Sequence, residues 1–548
     1  MSKKKRSRKY LFVTGGVMSG VGKGVASSSI GMLLQSRGFK VTALKIDPYI
    51  NVDAGTMNPT EHGEVFVLRD GDECDQDMGN YERFLDVNLS QINYMTTGRV
   101  YQEVIRKERN LGYKGKNVEV VPDIPKEVIR RIKKAADEAD ADITIIEIGG
   151  TIGEYQNVIF VEAARMMHLE NPEDVGFVMV SYLPIPSKVG EMKTKPTQTA
   201  SRTLNGIGVQ ADIIIARSDV ALDKKRKEKI ATFCNIKPDH VISAPDADSI
   251  YDVPVNFEKD NLSNIVCGVL NVKPKNEKAE LTKWKGLVRK SKNGKKEVNI
   301  AVVGKYFDSG DFVLSDVYIS VLEAIKYSAY KNGAVPKIHY VNSKNIEDGT
   351  LSVSSLKDYD GILVPGGFGE TGIEGIIDVI KYARENKIPY FGICYGMQLM
   401  VIEYARHVAK LSGAHTAEIN PDAKHVVIDI MPEQKELMKN KNYGGTMRLG
   451  SYPAVLKRGT IARKAYGVME IEERHRHRFE VNPEYIARLQ EAGLVFSGTS
   501  PDHRLMEIAE LPKEEHPFFV GVQFHPEFQA RPLSPHPVFS EFVKASLK

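Results

Sequence analysis

Short apolar runs rich in β-branched residues alternate with helical patterns along the first half of the chain. The runs that predict strands are residues 10–16, 40–47, 142–150, 175–184, 212–219 and 240–246. Their apolar residues do not strictly alternate with polar ones, which is typical of parallel strands covered on both faces by helices. This half therefore predicts an α/β domain built on a parallel sheet.

A second series of apolar runs follows, at residues 298–306, 337–341, 361–367, 389–396 and 518–525. Between the two series, residues 272–297 are rich in lysine and contain the only tryptophan, Trp284. We interpret this stretch as a linker that includes a helix docked by that one aromatic ring. The pattern predicts two doubly wound α/β domains, 1–271 and 298–548, joined by residues 272–297.

Composition narrows the class of protein. A chain of 548 residues is too long for a single hydrophobic core. No stretch approaches the ~18 consecutive apolar residues of a membrane span, and a net charge of +4 gives no global field for nucleic acid. The basic residues 3–9 predict a disordered tail, with a nucleic-acid or membrane contact as the alternative.

The cysteines favour a reduced, cytoplasmic setting. Cys74, Cys234, Cys267 and Cys394 form no CxxC pair and show no disulfide or zinc spacing. Cys234 and Cys267 lie in apolar surroundings and predict core thiols.

Residues 12–24, FVTGGVMSGVGKG, predict a strand that runs into a glycine-rich phosphate loop. The loop departs from the common GxxxxGK[ST] pattern, because Val17 replaces its first glycine and Gly24 replaces its hydroxyl residue. Backbone N–H groups at a helix N-terminus can still bind phosphates, and Lys23 can still reach them. The segment predicts a nucleotide site.

The hydroxyl that is missing at position 24 normally helps to bind the magnesium ion that accompanies a nucleotide. Magnesium accepts hard oxygen ligands, so carboxylates from elsewhere must replace the hydroxyl. Asp77, in the acidic stretch 70–79, and Glu147, at the end of a buried strand, are the candidates. A carboxylate at Glu147 is costly without a cation nearby. The alternative for residues 70–79 is a solvated acidic loop.

A candidate nucleophile lies in the second half. Cys394 falls between a predicted strand and a predicted helix, where the helix dipole favours a thiolate, and Gly392 and Gly396 allow a tight turn there. His525 can act as the base, and Glu527 can orient its imidazole.

Backbone N–H groups near Gly367 and Tyr395 are candidates for an oxyanion hole. A buried structural cysteine is the alternative, but the motifs PGGFG, GxCxGxQ and FHPE occur together and in this order. The combination predicts a glutaminase, and with the phosphate loop it predicts an enzyme that installs nitrogen on a phosphate-activated carbon.

The chain resembles the CTP synthase family, the UTP-ammonia ligases fused to a class I glutamine amidotransferase domain. The resemblance runs essentially end to end and is most specific in the blocks 45–59, 62–67, 190–198, 365–369, 444–450 and 473–482. It implies a phosphate-loop amidoligase domain followed by a flavodoxin-like glutaminase domain. The pyrimidine substrate is implied by this resemblance alone.

The resemblance implies a role for particular positions. The ATP positions are Gly20, Val21, Gly22, Lys23, Gly24, Val25, Asp77, Arg217, Asp246 and Ala247, with magnesium on Asp77 and Glu147. The positions for UTP or CTP are Ser19, Glu154, Tyr155, Gln156, Lys193, Thr194, Lys195, Pro196, Thr197, Gln198 and Lys229. The glutamine positions are Gly367, Tyr395, Gly396, Met397, Gln398, Glu418 and Arg478.

The resemblance also implies a reaction and its regulation. ATP phosphorylates the 4-oxygen of UTP, Cys394 releases ammonia from glutamine, and ammonia displaces the phosphate to give CTP, a step of pyrimidine nucleotide biosynthesis. GTP is the implied activator, CTP the implied inhibitor, and a homotetramer the implied assembly. No nucleic acid or membrane partner is expected.

Three positions depart from the family pattern. Residues 154–157 read EYQN where the family commonly has DIES, so Gln156 replaces a carboxylate near the pyrimidine nucleotide. Thr371 stands where an arginine is common in a loop implicated in GTP activation, and Glu61 replaces a usual glutamine. Two other classes remain as alternatives: an amide ligase of the cobyric acid synthase type, and a partitioning-type ATPase or filament protein with an inactive glutaminase domain.

Overall fold

The computed structural model describes residues 8–188, 190–305, 307, 315–440 and 444–547. Two compact units are formed. Unit 1 comprises the described residues of Met1–Asp53 and Asp77–Val288, and unit 2 those of Ala54–Gln76 and Arg289–Lys548. The segment Ala54–Gln76 thus belongs to unit 2 although it lies early in the sequence. The predicted boundaries at 271 and 298 stay predictions.

The strands are numbered along the chain. They are β1 (Lys9–Gly16), β2 (Val41–Asp47), β3 (Val65–Val67), β4 (Glu73–Asp75), β5 (Tyr94–Thr96), β6 (Ile143–Ile148), β7 (Val175–Tyr182), β8 (Ile213–Ser218), β9 (Val241–Pro245), β10 (Lys296–Gly304), β11 (Ala334–Asn342), β12 (Gly361–Val364), β13 (Tyr390–Ile393), β14 (Ala414–Thr416), β15 (His425–Ile430), β16 (Arg448–Leu456), β17 (Glu470–His477), β18 (Phe479–Val481), β19 (Val495–Thr499), β20 (Met506–Glu510) and β21 (Phe519–Val522).

The α-helices are α1 (Lys23–Ser36), α2 (Pro59–His62), α3 (Asp77–Leu85), α4 (Thr97–Arg109), α5 (Val120–Glu138), α6 (Val158–Glu170), α7 (Lys195–Gly206), α8 (Lys224–Cys234), α9 (Asp252–Lys259), α10 (Leu262–Val269), α11 (Thr282–Lys292), α12 (Ile319–Lys331), α13 (Ser343–Glu347), α14 (Ile373–Glu385), α15 (Tyr395–His407), α16 (Pro432–Lys439), α17 (Ile461–Tyr466), α18 (Pro483–Glu491) and α19 (Pro537–Ser546). Short 3-10 turns cover Gln91–Asn93, Pro172–Asp174, Pro238–His240, Ser315–Tyr318, Val353–Asp358 and Pro526–Gln529.

Unit 1 is built on a parallel sheet with the strand order β5-β2-β6-β1-β7-β8-β9. Its central strands are buried along almost their whole length, as expected for strands covered on both faces. The phosphate loop follows β1, where the strand order reverses direction along the sheet. Such a switch point at the carboxyl edge of a doubly wound sheet is where ligands bind.

Unit 2 contains a sheet with the order β11-β10-β12-β13-β21-β20-β19-β16-β17. The first five strands in this order, β11, β10, β12, β13 and β21, are parallel. The last four, β20, β19, β16 and β17, continue the sheet in antiparallel fashion. A small sheet, β14-β15-β18, and the hairpin β3-β4 complete the described strands of this unit. The predicted two-domain α/β architecture is confirmed.

The predicted strands are found, and their ends differ by a few residues. The run 389–396 was too long as a strand, since β13 ends at Ile393 and α15 begins at Tyr395. The antiparallel strands β16 to β20 had no counterpart in the prediction. Tyr306, the last residue of the predicted run 298–306, and most of the basic N-terminal tail lie outside the described residues.

The predicted docking of Trp284 is confirmed. Its indole is buried in unit 1, where Nε1 donates a hydrogen bond to the carbonyl of Tyr251 over 2.8 Å. The ring packs on Phe84, with 5.0 Å between the ring centroids, and on Tyr251. The four cysteines are free and buried, and none of the described helices is long and apolar enough to cross a membrane.

Candidate active sites

The loop after β1 turns sharply into α1. Val17, Gly20 and Gly22 have positive φ angles of 80°, 67° and 84°, a conformation that glycine adopts without strain. Lys23 is the first residue of α1, and its Nζ donates to the carbonyl oxygen of Gly150 over 3.0 Å. Burial lowers the pKa of Lys23 although Glu147 opposes this shift. The ammonium is thus held at the helix N-terminus where phosphates bind.

Gly24 leaves room for Asp77. A Cβ atom at position 24 would lie 2.0 Å from Asp77 Oδ1 and 2.7 Å from its Cγ. The carboxylate of Asp77 therefore occupies the space that the side chain of a serine or threonine would need. The glycine at position 24, where the common pattern has a hydroxyl residue, therefore has a steric cause within unit 1.

Three carboxylates surround the ammonium of Lys45. Its Nζ donates to Asp77, to Glu147 Oε1 over 2.8 Å, and lies 3.7 Å from Asp47 Oδ1. The hydroxyl of Tyr81 donates to the other oxygen of Glu147. Burial raises the pKa of Glu147, whereas Lys45 outweighs burial at Asp77 and lowers its pKa.

Asp77 and Glu147, the two predicted metal ligands, are thus brought together on one cation. Within the described ranges, His, Cys, Asp and Glu side chains form no group of three or more that could hold a metal ion by themselves. Magnesium commonly takes one or two carboxylates and completes its shell with phosphate oxygens and water. The donor set is therefore of the kind that binds magnesium together with a nucleotide.

A cavity of 330 Å³ adjoins the phosphate loop. Gly22, Val25, Arg217, Asp246 and Ala247, all predicted ATP positions, contribute to its lining. Arg217 Nη2 donates to Asp246 Oδ1 over 2.9 Å, which fixes both side chains at the rim. The cavity is of a size to hold a nucleobase.

The positions predicted for UTP divide into buried and exposed side chains. Thr197 is buried, with its hydroxyl 2.8 Å from that of Ser181, and Gln198 Nε2 donates to Thr194 Oγ1 over 3.1 Å. Tyr155, Lys195 and Lys229 are exposed, Ser19 lies in the exposed part of the phosphate loop, and Glu154 accepts from Gln156 over 3.0 Å. Their role in binding stays a prediction.

In unit 2, Cys394 occupies the turn between β13 and α15. Its backbone has φ 50° and ψ −97°, and its N–H donates to the carbonyl of Val522 over 2.7 Å. A Cβ at Gly396 would lie 2.3 Å from the Val364 carbonyl, and one at Gly392 would lie 2.7 Å from the Gly396 backbone. The tight turn predicted around the thiol is present, and only glycine fits at either side.

His525 and Glu527 lie beside this thiol. His525 Nδ1 donates to Glu527 Oε1 over 2.7 Å, and both side chains are buried. Burial lowers the pKa of His525, but Glu527 and Cys394 outweigh this effect and raise that pKa to about 10. The imidazole is therefore protonated near neutral pH and can donate a proton to a leaving group.

Two neighbouring pockets in unit 2 divide the predicted glutamine site. A narrow one, 60 Å³ in volume, is lined by Gly367, Cys394, His525 and Glu527 among others. A larger one of 950 Å³ contains Glu418 and Arg478. A carboxylate and a guanidinium in one cavity match the ammonium and the carboxylate of a free amino acid.

The glycine-rich loop beside the thiol is held at Gly369. Its N–H donates to Glu418 Oε1 over 2.8 Å, and its carbonyl accepts from Tyr395 Oη over 3.0 Å and from Lys305 Nζ. Lys305 Nζ also lies 4.9 Å from the centre of the Tyr395 ring. Burial lowers the pKa of Lys305 to about 8 against the attraction of Glu418.

Comparisons with known proteins match both halves of the chain. A family model described as CTP synthase N-terminus matches residues 9–272, and one described as glutamine amidotransferase class-I matches residues 313–545. Proteins named CTP synthase from Halalkalibacterium halodurans and Clostridium kluyveri are 48% and 50% identical over 541 and 540 residues. The first alignment covers 98% of this chain and 99% of the relative, and the second covers 98% of each.

This chain belongs to the CTP synthase family. Among solved structures, the glutaminase domain of Trypanosoma brucei CTPS with bound acivicin is similar at 36% identity, covering 45% of this chain and 93% of that chain with a TM-score of 0.42. Membership of the CTP synthase family places the synthetase motifs in the N-terminal half and the glutaminase motifs in the C-terminal half.

Sequence reasoning missed several residues that the structure places beside these candidate sites of a CTP synthase family member. Lys45 is a charged residue near the end of the buried strand β2, the same signal that identified Glu147, and Lys305 directly follows β10. Tyr81 and Gln523 gave no such signal, because a buried tyrosine or glutamine in an apolar stretch is an ordinary core residue. Their contacts with Glu147 and Cys394 appear only in the folded chain.

Proposed function

We propose that the protein makes CTP by aminating UTP, with ATP as the phosphoryl donor and glutamine as the nitrogen source. The observation that carries this proposal is the pairing of two sites in one member of the CTP synthase family. Unit 2 contains Cys394 with His525 and Glu527, and unit 1 contains Lys23 with Asp77 and Glu147.

Glutamine hydrolysis begins at Cys394. The amino acid binds with its ammonium toward Glu418 and its carboxylate toward Arg478, and its amide enters the narrow pocket. The thiolate attacks the amide carbon, and backbone N–H groups near Gly367 and Tyr395 stabilise the oxyanion. When the C–N bond breaks, the nitrogen takes a proton from His525 and leaves as ammonia.

The thioester is then hydrolysed. His525, now neutral, takes a proton from a water molecule as this water attacks the carbonyl carbon. The C–S bond breaks, glutamate leaves, and the thiolate and the imidazolium are restored. Glu527 orients the imidazole throughout and favours its charged form.

The second reaction belongs to unit 1. The γ-phosphoryl group of ATP passes to the 4-oxygen of UTP, leaving ADP, and Lys23 stabilises the charge on the transferred group. Ammonia adds to carbon 4, phosphate leaves, and CTP is formed with the release of a proton. The adenine is assigned to the cavity bordered by Arg217, Asp246 and Ala247, whose dimensions suit a nucleobase.

Magnesium is the metal that suits the carboxylates around Lys45. Asp77 and Glu147 would hold it, since both are already directed at one cation and Gly24 leaves room for Asp77. When bound, magnesium neutralises phosphate charge during transfer. Lys45 keeps the two carboxylates directed at one point.

UTP and its regulators complete the proposal. The exposed lysines Lys195 and Lys229 and the half-buried Lys193 suit a triphosphate. Residues 154–156 are assigned to the pyrimidine nucleotide, UTP as substrate or CTP as inhibitor. GTP activation and a homotetramer are further parts of this proposal, as is a cytoplasmic location. They rest on membership of the family.

The test is a reaction with two nitrogen sources. The purified protein is incubated with UTP, ATP and magnesium plus either glutamine or ammonium, and nucleotides are separated by chromatography. CTP is expected with both sources, and Cys394→Ala is expected to keep only the ammonium reaction. Absence of CTP with both sources, in a preparation that binds ATP, would overturn the proposal.

A further inference from the structure

We propose that Gln523 is a catalytic residue of the glutaminase centre. Its side-chain amide donates an N–H to the sulfur of Cys394, and Gln398 is the positioning residue that holds this amide in the required orientation. This inference rests on the proposed role of Cys394 as the nucleophile and adds a donor to the sulfur itself.

The contact is buried behind the thiol. Gln523 directly follows β21 and is fully buried, and its Nε2 lies 3.5 Å from Cys394 Sγ. The backbone of Gln523 is fixed as well, because its N–H donates to the carbonyl of Glu507 over 2.8 Å. The amide is thus presented to the sulfur by an ordered strand end and not by a mobile loop.

A chain of hydrogen bonds determines which end of this amide faces the sulfur. Gln398 lies one turn after Cys394 on α15, and its Nε2 donates to the Phe479 carbonyl over 3.0 Å. A carbonyl oxygen can only accept, so the group facing it must be an NH₂. The same Nε2 lies 3.3 Å from the Oε1 end of the Gln523 amide. Because an NH₂ group donates, the atom opposite it must be an oxygen. The remaining end of Gln523, its NH₂, faces Cys394.

The other neighbours of the sulfur explain why a donor matters. The carbonyl of Arg476 lies 3.8 Å from Cys394 Sγ and can only accept a hydrogen bond, which favours the neutral thiol. An N–H from Gln523 has the opposite effect, because it stabilises negative charge on the sulfur. That charge is present when the thiolate attacks the amide and again when it leaves the thioester.

Two replacements of Gln523 separate the donor from its volume. Gln523→Met keeps the length of the side chain and removes both polar ends. Gln523→Glu keeps the shape and can no longer offer an NH₂. If the Gln523 side chain only filled space, the methionine, which brings no buried charge, would leave the thiol unimpaired, whereas loss of the donor predicts impairment in both variants.

Gln529→Met is the matched control. Gln529 is also in unit 2, and its Nε2 donates to the carbonyl of Glu472 over 2.9 Å and to Glu473, without a contact to Cys394. Its replacement removes a comparable pair of hydrogen bonds and leaves the surroundings of the sulfur unchanged. The thermal unfolding of each variant shows whether a slower reaction merely reflects a loss of stability that Gln529→Met shares.

The experiment measures the rate at which iodoacetamide alkylates Cys394 in the full-length protein at one fixed pH, with the modified peptide quantified by mass spectrometry. We expect a rate about tenfold lower in Gln523→Met and Gln523→Glu, because each loses a hydrogen bond to a charged group, and an unchanged rate in Gln529→Met. With glutamine, kcat should fall in the same proportion while KM stays near that of the natural protein. Alkylation of both Gln523 variants at the natural rate would overturn the inference.

Gln398 is tested by non-additivity. Gln398→Met frees the Gln523 amide to rotate and should slow alkylation, while the double variant should be no slower than Gln523→Met alone. Iodoacetamide does not occupy the glutamine site. If Gln398 acted only by binding glutamine, its replacement would therefore leave the alkylation rate unchanged. Additive losses would refute the positioning role. Failure of the proposed function has a different signature, namely glutamine hydrolysis that survives Cys394→Ala.

Discussion

Replacing Gly24 with serine restores the hydroxyl position of the common phosphate-loop pattern, yet we expect it to slow the synthesis of CTP severely. A Cβ at this position lies 2.0 Å from Asp77 Oδ1, whereas ordinary contacts begin at 3.4 Å. The carboxylate must retreat by about 1.4 Å, the difference between these two distances. The shift separates Asp77 from Lys45 and from the point where we place magnesium.

The size of the effect follows from that displacement. A misplacement of about 1 Å in a catalytic group lowers the rate by about 100-fold. We therefore expect Gly24→Ser to reduce kcat for ammonium-dependent formation of CTP by about 100-fold or more. Glutamine hydrolysis should persist, since its residues lie in unit 2.

The assay compares Gly24→Ser with Gly268→Ser. Gly268 lies in α10 of the same unit, and a Cβ there meets no atom within 4 Å, so serine should be accommodated. Formation of CTP from ammonium is followed by chromatography, together with thermal unfolding of each variant. The reasoning is refuted if Gly24→Ser keeps a kcat within twofold of the natural protein.

Three further predictions concern the glutaminase site and the stability of unit 1. Glu527→Gln removes the carboxylate that raises the pKa of His525 to about 10, so the alkaline limb of glutamine hydrolysis should move to lower pH; an unmoved limb in a pH–rate profile would contradict this. Lys305→Met removes one hydrogen bond to the Gly369 carbonyl, leaving the one from Tyr395, and should raise KM for glutamine more than it lowers ammonium-dependent kcat; equal effects on both reactions would contradict a role of Lys305 in holding this loop. Trp284→Ala should destabilise unit 1 by about 3–5 kcal/mol, because it removes a buried indole and its hydrogen bond. A melting temperature within 1 °C of the natural protein, which corresponds to roughly 0.3 kcal/mol, would show that the docked indole is dispensable.

The parallel core could be predicted because buried strands carry a strong local signal. Continuous apolar runs mark β1, β6 and β7, and the turn residues around Cys394 mark the end of β13. The antiparallel strands β16 to β20 carry a weaker local signal. In β17, for example, four of the five residues of ERHRH are buried although all five are charged or polar, so the segment does not look like a core strand in the sequence.

The sites were predictable where one residue type suffices for the chemistry. A cysteine between two glycines, a histidine after an apolar strand and a lysine after a glycine-rich loop each carry a chemical meaning on their own. Gln523 and Tyr81 do not, since their roles depend on which atom lies opposite their polar end. The reason for a glycine at position 24 likewise became visible only in the folded chain, because it depends on the position of Asp77, which is 53 residues away in the sequence.

The central claim is that nitrogen released at Cys394 ends on the pyrimidine. Glutamine labelled with ¹⁵N in its side-chain amide is supplied with UTP, ATP and magnesium in the presence of excess unlabelled ammonium at low pH, where little free ammonia exists. We expect CTP that carries ¹⁵N at its 4-amino group in the natural protein, and unlabelled CTP alone in Cys394→Ala. CTP without any ¹⁵N from the natural protein, or labelled CTP from Cys394→Ala, would contradict the account.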